Sequence, residues 1–143
     1  LQDNANMKVS WEDFNKRKKE DTIEHIYPQS PNDIYWKNRF GHLKPSEKRQ
    51  YLNSLGNLLL LNRSKNSKLQ NYDFDKKKCL LNKDGKEIGY YNGSYSEIEV
   101  SKHKEWTPDE IKKRGLLMLQ FMEERWKFSF DNWNISKEDI LFP

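Results

Sequence analysis

The possible fold of this chain is constrained most by a Glu-His pair. The pair is followed, about thirty residues later, by an Asn that precedes an apolar run. Glu24 and His25 lie in residues 22–26, which have the pattern of a short β-strand. Asn57 opens the apolar run Leu58–Leu61, which has the pattern of a second strand. Two short strands with a helix after the second predict a small β-β-α unit, and the thirty-residue connection between them is too long for a simple hairpin loop.

The polar residues of this unit are the side chains that a one-metal nuclease needs. Ser64 can begin a short helix that carries Asn66. A neutral imidazole at His25 can take a proton from water, and carboxylate and amide oxygens suit a hard cation such as Mg²⁺. The candidate site therefore comprises His25, Glu24, Asn57 and Asn66.

Glu24 raises a physical difficulty, because consecutive residues of a strand point to opposite faces. If Glu24 and His25 both face a metal ion, the strand must end or twist at this point. The alternative is that Glu24 is an exposed carboxylate and that Asp21 or Asp73 is the ligand. His42 and His103 lack a comparable context and are expected to be surface or packing residues.

An ordered series of motifs resembles the HNH, or ββα-metal, nuclease superfamily. The likeness is closest to the C-terminal nuclease domain of GmrSD-type, modification-dependent restriction endonucleases, and it spans roughly residues 20 to 127. The residues that carry it are Glu24 to Gln29, Leu55 to Leu61, Asn66, Lys76 and Lys77, Trp106, and the segment Ile111 to Trp126 with Arg114.

The resemblance implies an α+β, mostly helical fold. It would have a ββα-metal core within residues 21–71, a helical insertion between the strands and a helical C-terminal part, 72–143, with a packing helix. Residues 1–20 would be an extension with a short helix, and the chain is expected to be a C-terminal fragment of a larger protein. An upstream nucleotide-hydrolysing sensor domain, in the same or a partner chain, is also implied.

The resemblance further implies a DNA endonuclease that acts in prokaryotic defence on double-stranded DNA, modified or not. His25 would be the general base, Asn57 would orient the His-bearing segment, and Glu24 with Asn66 would hold Mg²⁺ or Mn²⁺. Two other functions stay open: a basic DNA-binding module with a degenerate site, and a structural domain that assembles with a nucleotide-hydrolysing partner.

Positive charge is concentrated around the candidate site. Residues 37–83 hold twelve Lys or Arg and three Asp or Glu, a net charge of +9, whereas the whole chain has +4. Such a block favours contact with phosphates, although a solvated helix face is the alternative. The candidate DNA contacts are Arg63, Lys65, Lys68, Lys76 and Lys77.

Composition narrows the class of protein. The length of 143 residues fits one domain, and no apolar run approaches the ~20 residues that cross a bilayer. The single Cys79 excludes an internal disulfide and is expected to be buried. A cytoplasmic protein without membrane contact is therefore expected.

The C-terminal half gives two structural predictions. Thr107 to Glu110 forms a capping box that starts a helix running to about Trp126, with a core stripe along Ile111, Met118, Met122 and Trp126 and with Leu117 and Phe121 beside it. Tyr90–Val100 alternates in polarity and contains an Asn-Gly turn signal, which predicts a hairpin or an extended loop.

Overall fold

The structure, a computed structural model, describes residues 21–143 and has a mostly helical α+β fold with two small antiparallel sheets. The short helix expected before residue 20 lies outside the described residues. Within residues 21–143, no helix combines the length and the apolar character needed to cross a membrane. The strands are β1 (Asp21–His25), β2 (Leu58–Asn62), β3 (Leu80–Leu81) and β4 (Glu87–Ile88). The helices are α1 (Ile34–Phe40), α2 (Pro45–Asn53), α3 (Arg63–Leu69), α4 (Phe74–Lys78), α5 (Tyr95–Ser101), α6 (Pro108–Trp126) and α7 (Lys137–Leu141).

Strands β1 and β2 form the antiparallel pair that the sequence predicts, with bounds within one residue of the expected ones. His25 lies opposite Leu58, and Glu24 lies opposite Leu59. Alternation along β2 buries Leu59 and leaves Leu60 67% exposed, as expected for a sheet with one covered face. Helix α3 begins directly after β2.

The connection between the two strands is helical, as predicted. Helix α1 begins at the N-cap Asp33, whose carboxylate accepts a hydrogen bond from Tyr35 N at 2.7 Å, and it buries Trp36 and Phe40. The ring of Phe40 stacks on Tyr27, with 3.8 Å between centroids. This stacking packs the connection against the segment that follows β1.

Helix α6 supports the start of β2 through a close backbone contact. A Cβ atom at Gly56 would lie 1.9 Å from the carbonyl oxygen of Ile111, so only glycine fits there. From the same helix, Arg114 Nη1 donates to the carbonyl oxygens of Gly56 at 2.8 Å and Leu58 at 2.9 Å. The predicted capping box at Thr107 and Glu110 starts this helix.

The predicted core stripe of α6 is wrong for its C-terminal half. Its buried residues are Ile111, Arg114, Gly115 and Leu119. Leu117 and Trp126 are 62% and 63% exposed. The buried face is set by the close approach at Gly56 and by the packing of Leu141 against Gly115, which the apolar periodicity does not encode.

The segment from Tyr90 to Val100 contains no strand, in contrast to the predicted hairpin or extended loop. It forms a 3-10 turn, Tyr90–Asn92, followed by α5. Ser94 caps α5, and Glu97 completes the capping box by accepting from Ser94 N at 2.7 Å. Local capping therefore overrides the alternating pattern. Cys79, expected to be buried, is exposed.

Candidate functional site

A polar cleft of about 250 Å³ lies beside the end of β1 and the start of the turn after α3. It brings together Glu24, His25 and Asn66, three of the residues that the sequence singles out. The cleft is lined by Ile23, Glu24, His25, Pro28, Gln29, Asn66, Gln70 and Asn71. Glu24 and His25 both reach it although they are adjacent in a strand, because the cleft lies at the strand end. Asp21 and Asp73, the alternative ligands, are not among the lining residues.

The position of Asn66 follows from two contacts with β1. Its Nδ2 donates to Thr22 Oγ1 at 2.8 Å and to the carbonyl oxygen of Ile23 at 3.3 Å. A carbonyl oxygen can only accept, so the amide group is oriented with its nitrogen toward the strand. Among residues 21–143, no donor is bonded to Asn66 Oδ1, which therefore remains for a ligand in the cleft. The N-cap of α3 is Asn62, whose side chain accepts from Ser64 N, and not Ser64 as expected.

His25 is half-buried at the cleft. Burial lowers the pKa of His25 below its ordinary value of 6.5; the neighbouring Glu24 opposes this shift, Lys77 adds to it, and a hydrogen bond with Asn53 opposes it. The net effect favours the neutral imidazole, which is the form that accepts a proton. Asn53 Nδ2 donates to the carbonyl oxygen of Arg49 at 3.1 Å, which holds the amide beside the imidazole.

Glu24 is 4% exposed and takes part in a buried polar cluster. Its Oε1 accepts from Lys77 Nζ at 2.5 Å and from the hydroxyl of Tyr90 at 2.8 Å. Burial and the nearby Glu24 raise the pKa of Tyr90 well above 10.0, so its hydroxyl keeps the proton that it donates. Burial lowers the pKa of Lys77, and Glu24 opposes that shift. In the part of the chain that the structure describes, both bonds to this carboxylate end on Oε1.

Asn57 is fully buried and holds the chain where it leaves β1. Its Oδ1 accepts from Tyr27 N at 2.8 Å and Trp106 Nε1 at 3.1 Å. Its Nδ2 donates to the carbonyl oxygens of Tyr27 and Leu52, both at 3.0 Å. These four bonds fit the orienting role implied by the resemblance, and they use the hydrogen-bonding capacity of the side chain.

The five basic residues expected to contact DNA have different environments. Arg63 and Lys68 are exposed on α3, and Lys76 is largely exposed with Asp73 at 3.1 Å. Lys65 is held by Glu97 at 2.6 Å.

Lys77 does not fit the DNA contact expected of it, because its side chain is 0% exposed and its ammonium group is bonded inside the fold. The sequence places it in a Lys run, which gives no signal that one member is buried.

The donor set of the cleft fits a hard divalent cation. Glu24 and Asn66 offer carboxylate and amide oxygens, the ligands that Mg²⁺ and Mn²⁺ prefer, and His25 lies beside them. Among residues 21–143, no three His, Cys, Asp or Glu side chains come together as a metal-binding group. The candidate set is therefore a sparse one, in which water and substrate phosphate would supply the other ligands.

Sequence reasoning missed Tyr90, Asn53 and Thr22, which position the site residues. Thr22 lies in the predicted first strand, but its contact with Asn66 spans 44 residues of sequence. Tyr90 and Asn53 lie outside the motifs of the site and reach it through tertiary packing. A larger cavity, of about 440 Å³, lies between α2 and α7 and includes Asn53 and Arg49 but none of the predicted site residues.

Comparison with known proteins gives one result. The family model described as GmrSD restriction endonucleases, C-terminal domain, matches residues 2–121. Neither the curated proteins nor the solved structures contain a match to the chain.

Proposed function

Because the chain belongs to the family of GmrSD restriction endonuclease C-terminal domains, we propose that it is a metal-dependent HNH endonuclease domain that hydrolyses phosphodiester bonds in DNA. Family membership itself implies a nuclease domain of a modification-dependent restriction system. The single observation that supports the finer proposal is the cleft that joins Glu24, His25 and Asn66 across more than forty positions of sequence.

In this mechanism, His25 accepts a proton from a water molecule as the water oxygen attacks phosphorus. The bond from phosphorus to the 3′ oxygen breaks, the 3′ oxygen takes a proton from solvent, and the products are a 5′-phosphate and a 3′-hydroxyl. A bound Mg²⁺ or Mn²⁺ would supply Lewis acidity at the phosphate and the leaving oxygen. Glu24 and Asn66 would hold this cation through their cleft-facing oxygens.

Charge around the cleft supports the choice of substrate. Arg63 and Lys68 are solvent-accessible on α3, the helix that contributes Asn66 to the cleft, and Lys76 is solvent-accessible on α4. All three lie within the block of net charge +9. Contacts of this kind attract phosphates without reading base sequence. Recognition of modified DNA is therefore proposed for an upstream nucleotide-hydrolysing domain, in the same chain or in a partner.

We further propose residues 21–143 as the nuclease domain. The ββα-metal core would comprise β1, β2 and α3, within residues 21–71, and residues 72–143 would form the helical part that covers it. The buried contacts of Glu24 with Lys77 and Tyr90 join these two parts.

Metal-dependent nicking tests the proposal directly. The chain is incubated with supercoiled plasmid in Mg²⁺, in Mn²⁺ and with a chelator, beside a Glu24→Gln variant. We expect nicked and linear products only with the metals and only from the wild-type chain. Binding of plasmid without any cleavage would instead favour a degenerate DNA-binding module.

A further inference from the structure

The buried cluster behind the cleft consists of Glu24, Lys77 and Tyr90, and it has an unusual arrangement. Lys77 and Tyr90 are both 0% exposed, and they lie 53 and 66 residues from Glu24 in the sequence. Both donate to the same atom, Glu24 Oε1, at 2.5 Å and 2.8 Å. Glu24 also lines the cleft, and among residues 21–143 no donor is bonded to its Oε2.

Lys77 also contacts the neighbouring candidate base. Its Nζ donates to the carbonyl oxygen of His25 at 2.9 Å, in addition to Glu24 Oε1. One ammonium group therefore holds the carboxylate and the backbone of the next residue. This shared contact ties the Glu24 side chain to the His25 backbone at the point where the strand ends.

The buried cluster is balanced in charge. A buried carboxylate without a partner is costly, whereas Glu24 is paired with the ammonium group of Lys77. The pair is neutral overall, so the fold does not need a metal ion to compensate Glu24. The remaining oxygen can still coordinate a cation from the cleft side.

We propose that Tyr90 and Lys77 are positioning residues that present Glu24 Oε2 to the catalytic cation and that Lys77 fixes Glu24 relative to His25. This inference rests on the proposed function, because it takes Glu24 as a metal ligand. Residues that hold the ligands of a metal typically contribute about 10-fold to 100-fold to metal affinity or activity. The hydroxyl of Tyr90 is the part of the cluster that can be removed with the smallest change in volume.

Tyr90→Phe is the test, and Tyr91→Phe is its matched control. Tyr91 is the next residue, and its hydroxyl bonds Glu87 on the surface instead of Glu24. Mn²⁺ binding to the 143-residue chain is measured from the electron paramagnetic resonance signal of unbound Mn²⁺, without DNA. We expect the Kd for Mn²⁺ to rise about tenfold in Tyr90→Phe and to stay at the wild-type value in Tyr91→Phe.

Cleavage provides a second readout. We expect DNA cleavage by Tyr90→Phe to recover toward the wild-type rate at saturating Mn²⁺, since His25 is unchanged.

An unchanged Kd in Tyr90→Phe, with or without a lower melting temperature, overturns the inference, as does a wild-type chain that binds no Mn²⁺. A wild-type chain that binds Mn²⁺, responds at Tyr90 and cuts no DNA refutes the nuclease proposal alone.

Discussion

The side-chain amide of Asn57 pairs with the backbone of Tyr27 as a peptide group of a neighbouring strand would. Oδ1 accepts from Tyr27 N at 2.8 Å, and Nδ2 donates to Tyr27 O at 3.0 Å. The pairing continues the ladder beyond β1, which ends at His25, because Ile26 N bonds the carbonyl oxygen of Asn57 at 3.0 Å. The segment after the candidate base is therefore held by one buried residue.

Asn57→Asp should destabilise the domain by at least about 3 kcal/mol, because a carboxylate oxygen would face the carbonyl oxygens of Tyr27 and Leu52 in a buried site. Urea denaturation measures this change in the free energy of unfolding. Asn62→Asp is the control, since Asn62 is an exposed N-cap and Asp caps equally well. Similar stability of the two variants would contradict the structural role of Asn57.

The sequence predicts those structural features that depend on residues close together in the chain. The strands at Glu24 and Leu59 and the helix start at Thr107 follow from periodicity and capping, which short segments encode. The burial of Lys77 does not, because it depends on a carboxylate 53 residues away.

The arrangement of the site residues shows the same limit of prediction from local sequence. Motif order predicts that Glu24, His25 and Asn66 meet, and they line one cleft. Nothing local predicts that Tyr90 donates to Glu24, since its segment alternates in polarity like a strand and folds instead as a 3-10 turn and a helix. Tertiary packing therefore determines the conformation of this segment.

His25→Ala should lower cleavage by at least about 10²-fold, the scale of removing a general base. The half-buried imidazole makes no structural pairing comparable to that of Asn57, so the melting temperature and DNA affinity should change little. His42→Ala is the control, since His42 is exposed outside the cleft. Rates of cleavage are compared under single-turnover conditions, and a wild-type rate in folded His25→Ala would eliminate the mechanism.

Asn66→Ala should raise the Mg²⁺ or Mn²⁺ concentration needed for half-maximal cleavage, because it removes the amide oxygen that remains for a ligand in the cleft. It also removes the two hydrogen bonds from Asn66 Nδ2 to β1. Higher metal concentration should partly restore activity. Ser67→Ala, one residue further on α3 and exposed, serves as the control.

Chelation should leave the domain folded, because Glu24 is already compensated by Lys77. Circular dichroism before and after addition of a chelator measures this. Unfolding by the chelator would indicate that a metal ion has a structural role, against the neutral Glu24–Lys77 pair.

Replacement of Arg63, Lys68 and Lys76 by Ala should weaken DNA binding and reduce the slope of log K against log salt by up to about 2–3, since each phosphate contact contributes about 0.9. The control removes three exposed cations outside α3 and α4, Lys104, Lys113 and Arg125. Net charge falls equally in both variants. Equal slopes would show that general charge attracts DNA, without a surface formed by α3 and α4.

The isolated chain should cleave modified and unmodified duplexes at similar rates. The cleft of about 250 Å³ has polar and aliphatic walls, and no Phe, Tyr or Trp is among its lining residues. A flipped base is normally held between aromatic or apolar side chains, so the cleft is suited to a phosphate and not to a base. The exposed cations Arg63, Lys68 and Lys76 would contact the phosphate backbone, which is the same in both duplexes. Paired single-turnover assays on duplexes of one sequence, with and without modified bases, measure the ratio of rates. A ratio near one would show that these 143 residues do not select modified DNA, as expected if an upstream domain does so, whereas strong preference for one duplex would place the recognition surface within them.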